Sequence, residues 1–172
     1  MSAAAQKTSG TALSGQMVGG EHRLALRIYY EDTDAGGIVY YARYLQFAER
    51  ARTEILRLAG IEQTVLRDSH DVIFAVSRCE VDYRRPARLD DLVEVRTRLV
   101  ALRGAKLSAI QEIWRSGEQL AGEQLVRLAV DIASVRGDGR PTRFPAPVRA
   151  ALEPFVQQPF VQQPFVQPLE QG

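Results

Sequence analysis

The sequence predicts an α+β domain, a curved antiparallel five-stranded sheet wrapped around one central helix. Three observations predict it. One long stripe at helical spacing, Tyr44, Phe47, Ala48, Ala51, Ile55 and Leu58, follows a short alternating segment. Beyond it the period of apolar residues changes from helical to two. The turns between the alternating runs are short, which implies antiparallel pairing. A helix with one apolar stripe must bury it, and the sheet is the only large partner on offer.

Each element can be justified in order. Residues 1–21 are small, polar and glycine-rich, and read as a disordered tail. From Arg23 to Glu31, Leu24, Leu26 and Ile28 alternate with Ala25, Arg27 and Tyr29, giving the first strand. The helix runs from about Tyr44 to Ala59, with Gly60 placed as a helix C-terminus prefers. Residues 62–71 hold a turn or a short second helix. Val72, Phe74 and Val76 then alternate, and Cys79, Val81 and Tyr83 continue in the opposite phase. That shift predicts a bulge between Val76 and Cys79, and Pro86 ends the strand. Val93, Val95, Thr97 and Leu99 share one face of the next strand, opposite Glu94, Arg96 and Arg98. A tight turn at Arg103-Gly104-Ala105 leads to a strand over Lys106–Arg115. Ser116-Gly117 turns again, and the apolar-rich run from Leu120 to Ser134 reads as a central strand. The folded domain spans residues 22–150. Residues 151–172 form a low-complexity tail with proline at every fifth position, PFVQQPFVQQPFVQ, which suits neither a long helix nor a central strand. If the tail binds a partner, its repeated Phe-Val pairs are the anchors.

Composition bounds the function. The 172 residues carry a formal net charge of +1, which gives no global reason for a nucleic-acid or membrane-surface partner. Arg84, Arg85 and Arg88 form a local basic cluster that reads either as a solvated strand end or as a phosphate contact. The single cysteine, Cys79, excludes an intrachain disulfide and reads as a buried structural thiol. His22 and His70 lack metal-ligand spacing. The N-terminus has no signal-peptide apolar region, and no apolar run is long enough to span a bilayer. A cytoplasmic protein is expected.

The chemistry concentrates in YYEDTDAGGIVYYARY, residues Tyr29 to Tyr44. Glu31, Asp32 and Asp34 sit against Gly36-Gly37, and a helix begins just beyond. A calcium loop starting at Asp32 would need an oxygen ligand at its fifth position and Glu at its twelfth, but these are Gly36 and Arg43. Two carboxylates without histidine are a poor zinc or iron site. No GxxxxGK[ST] or GxGxxG phosphate loop is present, and no G-x-S-x-G elbow. What remains is a carboxylate acting as base or nucleophile beside a helix start, whose unpaired amides polarise a substrate oxygen. An activated electrophile such as a thioester suits it. The competing structural reading is that the acids cap the turn or the helix, and this is preferred for Glu31 and Asp32.

The same stretch, with LQFAERARTEILRLAGI after it, resembles the signature of the hotdog-fold acyl-CoA thioesterases. The nearest group is the 4-hydroxybenzoyl-CoA thioesterase family (4HBT), and within it the YbgC-type subfamily encoded beside the Tol-Pal envelope genes. VDYRRPARLDDLVEV and LRGAKLSAIQEI resemble further parts of it. The resemblance implies the hotdog fold. It makes Asp34 the catalytic carboxylate and assigns Tyr41, through its backbone N–H, to the thioester oxygen. Gly37 and Val39 are implied to line the substrate, with Gly36 and Gly37 letting the backbone pass close to it. The substrate is then an acyl-CoA, or an acyl carrier protein thioester, of short or aromatic acyl chain. Arg84, Arg85 and Arg88 are candidates for the nucleotide end of CoA. No further cofactor and no metal are implied. A homodimer or homotetramer is expected, with peripheral association to the Tol-Pal system. Many YbgC-type members carry histidine where this chain has Tyr41, while the benzoyl-CoA branch has tyrosine.

Two other readings fit the same stretch. A hotdog acyl-thioester dehydratase or hydratase would pair a histidine with the carboxylate, and no histidine lies in the motif. A non-catalytic envelope-complex scaffold would draw only on the PFVQQ tail.

Overall fold

The computed structural model describes residues 13–116 and 122–156. Six antiparallel strands form one sheet: β1 (Gln16–Val18), β2 (Glu21–Arg27), β3 (Ile73–Tyr83), β4 (Leu92–Arg103), β5 (Lys106–Ser116) and β6 (Glu123–Val135). Their order across the sheet is β1-β2-β4-β5-β6-β3. The central helix α1 (Arg43–Leu58) lies on one face, followed by α2 (Gln63–His70), and α3 (Ala146–Leu152) closes the C-terminal side.

Periodicity explains the packing. Tyr44, Phe47, Ala48, Ala51 and Ile55 of α1 are buried, as their spacing requires. Val93, Val95, Thr97 and Leu99 of β4 face them, all at most 1 % exposed. Burying an aliphatic or aromatic side chain in this way contributes about 1.5–3 kcal/mol each. The first half of α1 packs with Leu24, Ile28 and Val126, and its last turn with Ile61, Leu66, Val72 and Leu152. The β3–β6 register slips between Val76 and Arg78, which is the bulge the phase change predicted. As expected, β6 is flanked by strands on both sides.

Four features differ from expectation. The sheet has a sixth strand, β1, inside the segment read as a tail. It pairs with β2 in a hairpin, and Met17 packs on the core. Leu58 is 37 % exposed, and Leu56 is buried in its place, because α2 folds back over that side of the last turn. Cys79 is exposed, because β3 lies at the sheet edge and most of its residues face no neighbouring layer. The chain also stays ordered past residue 150: α3 is followed by a 3-10 turn over Glu153–Phe155, and Val156 bridges to Leu99. The PFVQQ repeats beyond it lie outside the described residues, as do residues 1–12 and the rest of the turn at Ser116-Gly117. Among the described residues no helix is long and apolar enough to cross a membrane.

Candidate active site

The site begins where β2 ends. Ile28, fully buried, exchanges backbone hydrogen bonds with the segment before β4: its N–H donates to Asp91 O at 2.9 Å, and its carbonyl accepts from Asp90 N at 3.1 Å. With Ile28 fixed, Tyr30–Asp32 close into a 3-10 turn. The Asp32 side chain turns inward and is only 5 % exposed. Its Oδ2 accepts from Tyr29 N at 2.9 Å, and its Oδ1 lies 3.1 Å from Arg43 Nε. Arg43 also donates to Glu31 O at 2.7 Å and to Gln46 Oε1 at 2.6 Å. Asp32 therefore holds the turn from inside rather than facing solvent, while the Glu31 side chain is 72 % exposed. Arg43 ties this turn to the first residue of α1. A cation at a helix start opposes the helix dipole, and the two acids offset it.

Asp34 sits two residues on and points the other way. Thr33 and Val39 bridge antiparallel, and between them the loop closes on itself. Asp34 N donates to Ile38 O at 2.9 Å, and Gly37 N donates to Asp34 O at 3.0 Å. Gly37 needs its left-handed φ of +72° for this turn. Gly36 N donates to Asp34 Oδ1 at 2.8 Å, and a Cβ on Gly36 would come within 3.1 Å of that oxygen. One carboxylate oxygen is thus fixed by backbone. The residue is exposed, and among the described residues no cation pairs with it.

The helix start completes the arrangement. Tyr40 N donates to Asp32 O at 2.9 Å, and Arg43 N donates to Tyr40 O at 2.9 Å. Ala42 already has helical backbone angles, φ −74° and ψ −18°. The N–H groups of Tyr41 and Ala42 meet no acceptor among the described residues. Tyr40 and Tyr41 are exposed, with ring centroids 4.5 Å apart. Hydrogen bonding to Tyr41 and repulsion from it raise the Tyr40 pKa, and the charge of Asp34 adds in the same direction. Tyr40 is therefore a protonated donor at neutral pH, close enough to Asp34 to feel its charge.

The model of the thioesterase superfamily (4HBT) matches residues 36–121, half the chain. An acyl-CoA thioesterase YbgC of Haemophilus influenzae is 41 % identical over 127 residues, covering 74 % of this chain and 90 % of that protein. The chain belongs to the thioesterase superfamily. An acyl-CoA thioester hydrolase YbgC of Escherichia coli O6:H1 is 46 % identical over 101 residues, 59 % of this chain and 75 % of its own length. The crystal structure of a probable thioesterase from Bartonella henselae superposes with a TM-score of 0.67 at 37 % identity, covering 73 % of this chain and 99 % of that one. The hotdog fold and a thioester hydrolase are thereby established.

Within this thioesterase the expected site residues separate. Asp34, Gly37 and Tyr41 lie on one exposed loop-to-helix path. Val39 does not line that surface with its side chain: it is 3 % exposed, and its N–H donates to Ala87 O at 2.9 Å. Val39 seats the loop on the core. Ala87 N in turn donates to the hydroxyl of buried Tyr44 at 2.8 Å, so the RRPAR segment is fastened to loop and helix together. Burial raises the Tyr44 pKa and keeps that hydroxyl protonated.

The arginine cluster also divides. Arg84 Nε donates to Asp82 at 2.8 Å, and Arg85 Nε lies 3.2 Å from Glu123. The Arg88 guanidinium pairs with no acid among the described residues. A separate cavity of about 40 Å³ lies along α1, walled by Glu49, Arg52, Gln63, Phe74, Leu99 and Ile132, and neither Asp34 nor Tyr41 reaches it.

Sequence reasoning missed Arg43, Tyr83 and Ala87. Arg43 had a signal, a basic residue in the first helical turn where acids are favoured. The other two act across the fold and left none.

Proposed function

We propose that this thioesterase hydrolyses an acyl-CoA, or an acyl carrier protein thioester, of short or aromatic acyl chain. The observation that carries the reading is an exposed carboxylate, Asp34, fixed through one oxygen and unpaired at the other, beside a helix start with open N–H donors. The thioester carbonyl oxygen lies against the Tyr41 N–H, which stabilises the developing oxyanion. One such donor contributes about 3–4 kcal/mol to the transition state. The free oxygen of Asp34 either attacks the carbonyl carbon, giving a tetrahedral adduct whose C–S bond breaks to release the CoA thiolate and leave an acyl-enzyme anhydride that water then opens, or takes a proton from an attacking water. Both routes consume one water and yield a carboxylic acid and a thiol. The YbgC relatives support CoA as the carrier. A dehydratase would pair a histidine with the carboxylate, whereas His22 is sealed beneath the N-terminal segment and His70 closes α2.

Asp34→Asn is the test. The amide oxygen can still accept from Gly36 N, so the loop keeps its shape while nucleophile and base are lost. Turnover of butyryl-CoA and benzoyl-CoA is expected to fall on the order of 10⁴-fold. Wild-type rates in the folded variant would end the assignment.

The same reading extends to assembly as a homodimer through β3. That strand is an 11-residue sheet edge carrying exposed Ile73, Val76 and Tyr83, a surface inviting a second strand. Light scattering should return about twice the 19.2 kDa chain mass, and a monomer across the assay range would remove this part.

A further inference from the structure

Two consecutive peptide groups at the start of α1 carry the open donors, and each is held by its opposite end. In a planar trans peptide the C=O and N–H point in opposite directions, so fixing one aims the other. The Tyr40 carbonyl accepts from Arg43 N at 2.9 Å, which aims the Tyr41 N–H. The Tyr41 carbonyl has no such partner within the helix. It accepts instead from the Tyr83 hydroxyl at 3.1 Å, across 42 residues of sequence. Tyr83 is the last residue of β3. Its ring meets those of Tyr41 and Tyr44 edge-on, with centroids 6.4 and 5.9 Å away. Tyr44 is 3 % exposed and anchored through its hydroxyl to Ala87, so the Tyr83 ring rests on a rigid base.

We infer that Tyr83 is a positioning residue for thioester hydrolysis: by donating to the Tyr41 carbonyl it fixes the Tyr41–Ala42 peptide plane and directs the Ala42 N–H alongside that of Tyr41 at the thioester oxygen. Oxyanion donors work because they are already oriented when charge develops, so no energy is spent turning them. Without the phenol, water takes over the Tyr41 carbonyl, and the peptide plane gains freedom. The ground-state substrate, whose carbonyl carries little charge, is held nearly as before. The loss falls on turnover rather than on binding.

This inference rests on the hydrolysis reading above, and the experiment separates the two. Tyr83→Phe keeps the ring contacts and removes only the donor. Butyryl-CoA and benzoyl-CoA hydrolysis should show kcat reduced about ten- to a hundred-fold with KM within about two-fold. The melting temperature should move by less than about 3 °C, because the lost bond is half exposed. Tyr83→His, which returns a ring donor, should recover more activity than Tyr83→Leu. A Tyr83→Phe kcat within about two-fold of wild type, in a protein that Asp34→Asn inactivates, overturns the inference while leaving the hydrolysis reading intact. So does a rise in KM alone, and so does equal activity of the His and Leu variants, which decides the matter should Tyr83→Phe not fold. Full activity of Asp34→Asn would instead remove the reading beneath it.

Discussion

Polar groups meet helix α1 in two places, and they do opposite things there. At its start, the Tyr41 and Ala42 N–H groups and one oxygen of Asp34 are left open to solvent. Beneath its middle, a row of polar side chains crosses the sheet and is closed off. His22, Thr97 and Gln111 occupy paired positions on β2, β4 and β5, and all three are fully buried. Gln111 Nε2 donates to Ala48 O of the helix at 2.9 Å and to Thr97 Oγ1 at 3.0 Å, while its Oε1 accepts from Arg52 at 2.6 Å. Within the buried row, Gln111 spends its hydrogen-bonding capacity on fixing where the helix lies. The open end uses that fixed helix to present donors. Buried polar groups left unpaired are costly, so open donors survive at the exposed end, where water can satisfy them.

The comparison breaks hardest at Asp32, which belongs to the helix start but is built like the buried row. Removing it leaves the Tyr29 N–H and the Arg43 guanidinium without their acceptor. Breaking a fully buried ion pair costs about 3–5 kcal/mol. Arg43 retains 22 % side-chain exposure and its bonds to Glu31 O and Gln46, so about 2–3 kcal/mol is expected for Asp32→Ala in urea unfolding. Activity should fall too, since the turn that the Asp32 side chain holds carries the main-chain carbonyl that accepts from Tyr40 N and feeds directly into the Asp34 loop. A variant of unchanged stability would show that the inward turn of Asp32 has no structural weight.

Much of this was legible in the sequence, and the remainder has a common cause. The α1 stripe, the β3 bulge and the alternation in β4 are local patterns that packing simply confirms. Asp34, Gly37 and Tyr41 were expected together because the motif carrying them is contiguous, and the fold keeps them on one exposed path. Asp32 and Asp34 could not be told apart by residue type. Their difference depends on Arg43 reaching back over the turn. Val39 was expected to line the substrate, but Ala87, 48 positions away, draws it inward. Cys79 alternates like a buried residue, yet no alternation reveals that β3 is a sheet edge. Tyr83 reads as the last apolar residue of a strand, and only the fold brings its hydroxyl to the helix start. His22 is buried because Ser14 and β1 cover it, and that segment has the composition of a tail.

His22 supplies the smallest expected effect and the sharpest probe of the closed row. Its Nε2 meets Ser14 O at 2.7 Å, while its Nδ1 is buried without a partner. Burial lowers its pKa below 6.5, and the Ser14 carbonyl and the charge of Glu54 offset part of that. The folded protein therefore favours neutral imidazole more than the unfolded chain does. Between pH 6.5 and the lower folded value the unfolded chain binds more protons, so stability is complete above pH 6.5 and declines as pH falls through that window. One such group changes stability by at most about 1.4 kcal/mol per pH unit. His22→Gln keeps a neutral donor for Ser14 O and cannot titrate. Urea unfolding from pH 7.5 to 5 should show a shallower loss for the variant than for wild type, with the two curves converging toward parallel above pH 7. Parallel curves over the whole range would mean that His22 titrates alike folded and unfolded, and that the row beneath α1 admits water. The closed and open ends of the helix would then differ in degree only, and the rigidity argued for the Tyr41–Ala42 donors would rest on Tyr83 and Arg43 alone.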